Sequence, residues 1–134
     1  MTCVIAAAAS MPAQPVQAEN DPVYTVTDGR VDQGTFNGYR RYGESCMRCH
    51  GPDGAGSSYA PSLTNSLKHL SYEDFTNTVI NGRQNVNASA NNVMPSFGTT
   101  EDVVNYMDDI YGYLKARSDD KLPRGRPKRI GDDS

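Results

Sequence analysis

Cys46-Met47-Arg48-Cys49-His50 constrains this chain more than any other stretch. Two thiols one helical turn apart face the same way, and the imidazole directly after them turns beneath whatever they hold. With that spacing two cysteines add to the two vinyl groups of haem while the adjacent histidine reaches the iron. Cys46 and Cys49 therefore read as thioether attachment points and His50 as an axial ligand. A C-x-x-C pair also occurs in thioredoxin-like dithiols, where it follows a strand, and in zinc half-sites, which need a second pair of ligands. Neither context is present, since His69 is the only other histidine of the chain.

Composition fits a cofactor-dependent core. The 134 residues leave room for one domain, and they are 37% hydrophobic with no Trp and a mean hydropathy of -0.64. Protein side chains alone then bury too little to offset chain entropy, and a large apolar group would make up the difference. A formal charge of -3 argues against nucleic-acid or anionic-membrane binding, which needs many phosphates neutralised. Residues 1–18 read as a truncated signal peptide. Val4 to Ala9 is a short apolar run, and Val16-Gln17-Ala18 resembles a small-residue cleavage site, although the usual basic n-region is missing. The alternative is an unstructured Ala/Pro tail. Cys3 falls inside this segment, which leaves the C-x-x-C pair in the mature chain.

Residues 19–34, rich in Asp, Gly and Pro, predict an irregular or short-strand arm, and the domain itself is expected over 35–118. Phe36, Tyr39, Tyr42 and Cys46 recur at helical spacing, which predicts a first helix from an N-cap at Thr35 to about His50. Gly51 to Ser58 forbids regular structure and predicts a loop. Ser71 with acids in the following turn opens a second helix, ending at Asn81-Gly82. Asn-rich residues 83–100 predict a structured loop carrying Met94-Pro95. Thr100, Glu101 and Asp102 start a third helix, whose apolar positions Val103, Val104, Met107, Ile110, Tyr111 and Leu114 run to about Arg117. Residues 119–134 form a charged tail with little to bury, exposed or laid across the surface.

The sixth ligand separates an electron carrier from an open-iron protein, because a filled coordination sphere favours electron transfer. Met94 is the expected donor: it lies far downstream of His50 in a loop that can cover the opposite haem face, and Pro95 stiffens the chain directly after it. Met47 sits between the cysteines and points away, Met107 has core spacing, and His69 reads as a surface or loop histidine. The carboxylates Glu73-Asp74, Asp108-Asp109 and Asp119-Asp120 fall at helix starts or on solvated faces, so no substrate chemistry is visible and the chain reads as a carrier rather than an enzyme. The other readings are a haem sensor or peroxidatic protein with open iron, and a haem-free dithiol or metal-binding protein.

Gly38, Tyr42 and Cys46, at four-residue intervals, together with Ile110-Tyr111-Gly112-Tyr113-Leu114, resemble the class I cytochrome c superfamily. The resemblance implies a small all-α fold of three main helices plus loops around one covalent haem c. It also implies that Gly38 permits a close crossing by the C-terminal helix and that a proline carbonyl, here Pro61 in Ala60-Pro61-Ser62-Leu63, holds the proximal imidazole. Residues 28–32, 34–42 and 122–129 are similar to methanol-metabolism-related c-type cytochromes. This implies a periplasmic, monomeric acceptor for a PQQ-dependent, lanthanide-class methanol or alcohol dehydrogenase, handing electrons to a terminal oxidase or another cytochrome; a general respiratory carrier is the alternative. Arg40, Arg41 and Arg48 are candidates to rim the exposed haem edge, and the basic run 124–129 to dock on the domain or on the dehydrogenase.

Overall fold

A computed structural model describes Ser10, residues 21–86 and residues 91–132. The expected leader, residues 1–18, lies outside the described residues except for Ser10. The scaffold is a pair of helices in close crossing. Helix α1 spans Gln33–Ser45 and α6 spans Met107–Ser118. A Cβ on Gly38 would lie 1.9 Å from the Asp109 carbonyl oxygen, so the two backbones touch at a point where no side chain fits. Around the crossing Tyr113 packs its ring against both Tyr39 and Tyr42, each at 5.6 Å between centroids and tilted rather than stacked, an arrangement aromatic quadrupoles favour. Phe75 and Val79 of α4 (Tyr72–Asn81), Val103 of α5 (Glu101–Asn105) and Leu67, which caps the short helix α3 (Leu63–Ser66), complete the buried core.

Helix boundaries depart from the sequence reading in three places. The N-cap of α1 is Asp32, not Thr35: its carboxylate accepts from the Thr35 N–H and hydroxyl and from the Thr25 N–H, while Thr35 is 2% exposed inside the first turn. The first helix also stops at Cys46, whose φ of -113° breaks the ladder before α2 (Met47–His50) resumes it. Likewise the third helix is two pieces, α5 and α6, divided at Tyr106 with φ -112° and ψ 21°. Helix α4 has the expected caps, with Ser71 Oγ accepting from Asp74 N at 3.1 Å and Gly82 closing it at φ 73°.

The chain is mostly helical but not all-α. Strands β1 (Val26–Thr27) and β2 (Arg30–Val31) form a hairpin through Asp28-Gly29, both at positive φ, the turn that matches strand twist. Strands β3 (Arg83–Val86) and β4 (Asn91–Met94) pair antiparallel with Arg83 opposite Met94, where the sequence suggested only a structured loop. Strand β5 (Lys128–Arg129) comes back from the C-terminal segment to pair parallel with β2. These few residues gain ladder hydrogen bonds that a covering loop would otherwise have to find elsewhere. The C-terminal segment buries more than its charge suggests, for Leu122 is 2% exposed and Pro127 is buried as well. Among the described residues no helix is long and apolar enough to cross a membrane.

Candidate haem site

The attachment sequence lies where α1 ends. Cys46 is the residue at the break, half-buried on the rim of the core, and Cys49 is exposed on α2. Burial, with Cys49 beside it, pushes the free Cys46 thiol up to about 11. At neutral pH that sulfur is a protonated thiol, unlike the activated thiolate of a dithiol oxidoreductase. His50 closes α2 and is 8% exposed.

The imidazole is held by the backbone. Its Nδ1 lies 3.1 Å from the Pro61 carbonyl oxygen, so Nδ1 carries the proton and donates. Nε2 is then the nitrogen left to ligate. The intervening loop is tightly closed. Gly56 N donates to His50 O at 2.7 Å, the buried Tyr42 hydroxyl donates to the Gly51 carbonyl, and Ala55 N donates to Pro52 O. Gly51 at φ 76° and Gly56 at φ 88° face one another so closely that a Cβ on the first would be 2.4 Å from the second's carbonyl oxygen.

Met94 ends β4, half-buried and packed against the core. Two contacts hold its neighbourhood to the end of α4. Phe97 N and Gly98 N donate to Val79 O and Ile80 O, and a Cβ on Gly82 would sit 2.6 Å from the Met94 carbonyl oxygen. The competing donors stand apart from such a setting. Met47 is 43% exposed, Met107 is buried in the core between helices, and His69 is exposed in the turn after α3. Of the three arginines expected near the attachment turn, Arg40 and Arg48 are exposed, whereas Arg41 is tied to Glu44 and Asp102 with its guanidinium 4.3 Å over the Tyr106 ring.

This donor set fits haem c. It offers two thiols three residues apart, an imidazole whose free nitrogen is defined by the Pro61 bond, and a thioether, and Leu63, Leu70, Ile80, Met94 and Phe97 are among the partly buried apolar side chains packed against the core. Among the described residues no three His, Cys, Asp or Glu side chains converge into a protein-only metal cage. The fold and site define a c-type cytochrome. Residues 35–114 match the family model described as cytochrome c oxidase, cbb3-type, subunit III, and the chain belongs to this family of class I cytochrome c domains, which carry covalently bound haem c.

Its relatives agree. Cytochrome c-553I of Paracoccus denitrificans is 52% identical over 118 residues, 87% of this chain but 52% of the relative, so the chain spans about half that protein's length. Cytochrome c-555 of Methylococcus capsulatus is 43% identical over 96 residues, covering 71% of this chain and 72% of the relative. Among solved structures, the c-type cytochrome XoxG from Methylobacterium extorquens AM1 superposes with a TM-score of 0.77 at 42% identity, covering 88% of this chain and 72% of that one.

One contact is sharper than the sequence reading, which placed the basic run 124–129 on the domain or on the dehydrogenase without naming the residue that receives it. Asp53, inside the loop after His50, binds the C-terminal segment through Arg124 and Gly125. Its only sequence signal is the Pro52-Asp53-Gly54 turn, which says nothing about a partner so far along the chain.

Proposed function

We propose that this chain is a periplasmic single-electron carrier that accepts electrons from a PQQ-dependent methanol or alcohol dehydrogenase and passes them to a terminal oxidase or another cytochrome. The observation that carries the carrier reading is the setting of Met94, half-buried against the core and held to the end of α4, which makes it the candidate sixth ligand, while the His50 Nδ1–H given to Pro61 O keeps the imidazole in one orientation. When bound, haem c supplies a one-electron iron couple. Cys46 and Cys49 would hold its edge, His50 would supply a nitrogen ligand, and Met94, held by the β3–β4 hairpin and the end of α4, would supply a sulfur ligand. Thioether ligation raises the potential relative to a second imidazole, which suits an acceptor of substrate-derived electrons. The likeness of residues 28–32, 34–42 and 122–129 to methanol-metabolism-related cytochromes supports the donor, as does similarity to XoxG. Exposed Met47 and Cys49 beside exposed Arg40 and Arg48 offer a small apolar contact with a charged margin, the character of a transient redox encounter.

The deciding experiment is the optical spectrum of the oxidised haem-loaded protein and of Met94→Ala, followed by stopped-flow reduction with a quinoprotein alcohol dehydrogenase. A far-red sulfur-to-iron band in the wild type that disappears in the variant, with rapid reduction slowed by added salt, is expected. High-spin iron without that band would replace the carrier reading by an open-iron one, and failure of the dehydrogenase to reduce a low-spin protein would remove only the donor.

A further inference from the structure

Asp53 stands with its backbone in the left-handed region, φ 60° and ψ 17°, three residues after His50. Aspartate is among the few non-glycine residues that adopt this conformation, and here its side chain and carbonyl are both bonded. The contacts come from the other end of the chain. Its carboxylate accepts from Gly125 N at 2.9 Å and Arg124 Nε at 3.1 Å, and its carbonyl accepts from Arg117 Nε at 3.2 Å. Arg117 in turn donates to the Leu122 carbonyl, so one guanidinium joins loop and C-terminal segment. That segment is anchored on both sides of Arg124-Gly125, by buried Leu122 before it and by buried Pro127 with β5 after it. The side chain of Asp53 is 11% exposed and that of Arg124 is 65% exposed. An ion pair with so exposed a partner adds little stability, so the consequence of the contact is geometric.

The loop that Asp53 anchors spans the two ends of the imidazole's hydrogen bond. At one end His50 O accepts from Gly56 N. At the other, Gly56 lies against Pro61-Ser62 so closely that a Cβ on it would be 2.7 Å from Ser62 N and 3.1 Å from the Pro61 carbonyl carbon. A shift of the loop therefore moves His50 relative to the Pro61 oxygen. We propose that Asp53 is a positioning residue of the haem site: latched by Arg124 and Gly125, it holds residues 51–56 and thereby sets the strength of the His50 Nδ1–H to Pro61 hydrogen bond. The C-terminal segment acts as a strap on the proximal side. Weakening that bond makes the imidazole a poorer donor, which favours the reduced iron and raises the potential.

The inference rests on His50 being the axial ligand, and its test uses the full-length haem-loaded protein. Asp53→Gly, which still accepts a positive φ, Asp53→Asn, whose amide oxygen can still accept from Gly125, and Arg124→Gln are compared with wild type. The readouts are midpoint potential, the ferric NMR resonances of the His50 ring, and thermal midpoint. Asp53→Gly is expected to raise the potential and displace the ring resonances, Asp53→Asn to stay close to wild type, and Arg124→Gln to shift both in the same direction by less. A lower thermal midpoint with potential and resonances unchanged makes Asp53 a structural residue only and overturns the proposal. If Asp53→Gly takes up no haem, Arg124→Gln carries the test, and unchanged potential and resonances there overturn it too. Wild-type protein without shifted His50 ring resonances removes the ligand reading itself, an outcome distinct from the others.

Discussion

Asp32 shows what one carboxylate does when it caps a helix and ties down the preceding strand. Burial pushes its carboxyl up, yet the Thr35 hydroxyl and the Thr25 and Thr35 N–H groups outweigh that and leave it below the ordinary carboxylate value. A depressed pKa in the folded state stabilises the fold above the unfolded value, about 3.9, and that contribution is lost as pH falls through the folded value. Asp32→Ala is expected to lower stability at neutral pH by about 1–2 kcal/mol and to flatten the decline below about pH 4, measured by denaturant titration across pH. Asp32 and Thr35 are both cap formers three positions apart, and the Thr35 N–H given to the Asp32 carboxylate, with Thr35 buried inside the first turn, decides between them. The close crossing at Gly38 was implied by the resemblance to class I cytochromes c. With 1.9 Å to the Asp109 oxygen, Gly38→Ala is expected to cost about 3 kcal/mol or prevent accumulation of holoprotein, read from the thermal midpoint and haem yield.

Elements were legible in proportion to their periodicity. Helix α4 follows from Ser71, its acidic first turn and Gly82, all local signals. The β3–β4 hairpin had no such signal, because Arg83-Gln84-Asn85-Val86 and Asn91-Asn92-Val93-Met94 lack the alternation that marks a half-buried strand. The C-terminal segment, expected as exposed or laid across the surface, lies on the domain and buries a residue that no local pattern marks: one Leu among charges looks dispensable until its burial is seen. At 2% exposure, Leu122→Ala is expected to destabilise by about 2–4 kcal/mol in chemical denaturation, whereas Lys121→Ala, on an exposed neighbour, should stay within about 0.5 kcal/mol.

At the scale of the molecule, a small core carries a margin of only partly buried apolar side chains, Leu63, Leu70, Ile80, Met94 and Phe97 among them. Apolar burial is the main driving term of folding, so a chain left without its cofactor forfeits the burial that the haem would add. The Cys46→Ala/Cys49→Ala protein is expected to melt broadly, with near-ultraviolet circular dichroism lost, while the haem-loaded chain unfolds in one cooperative step. A sharp calorimetric transition in the double variant would refute that dependence.

The sequence by itself determined the attachment chemistry and the mostly helical character of the chain, and its resemblance to class I cytochromes c pointed to the cytochrome class and to glycine at position 38. Each depends on residues within one or two helical turns, or on spacing that a single helix face reads out. Only the tertiary structure decided the small sheets, the burial of Leu122 and the latch of Asp53 on Gly125, partners 72 residues apart in the chain. The sheets join backbone groups, which every residue carries, while the latch and the burial of Leu122 join side chains to groups far away in the chain, so no local pattern announces either, and they exist only after the helices have brought the two ends of the chain together.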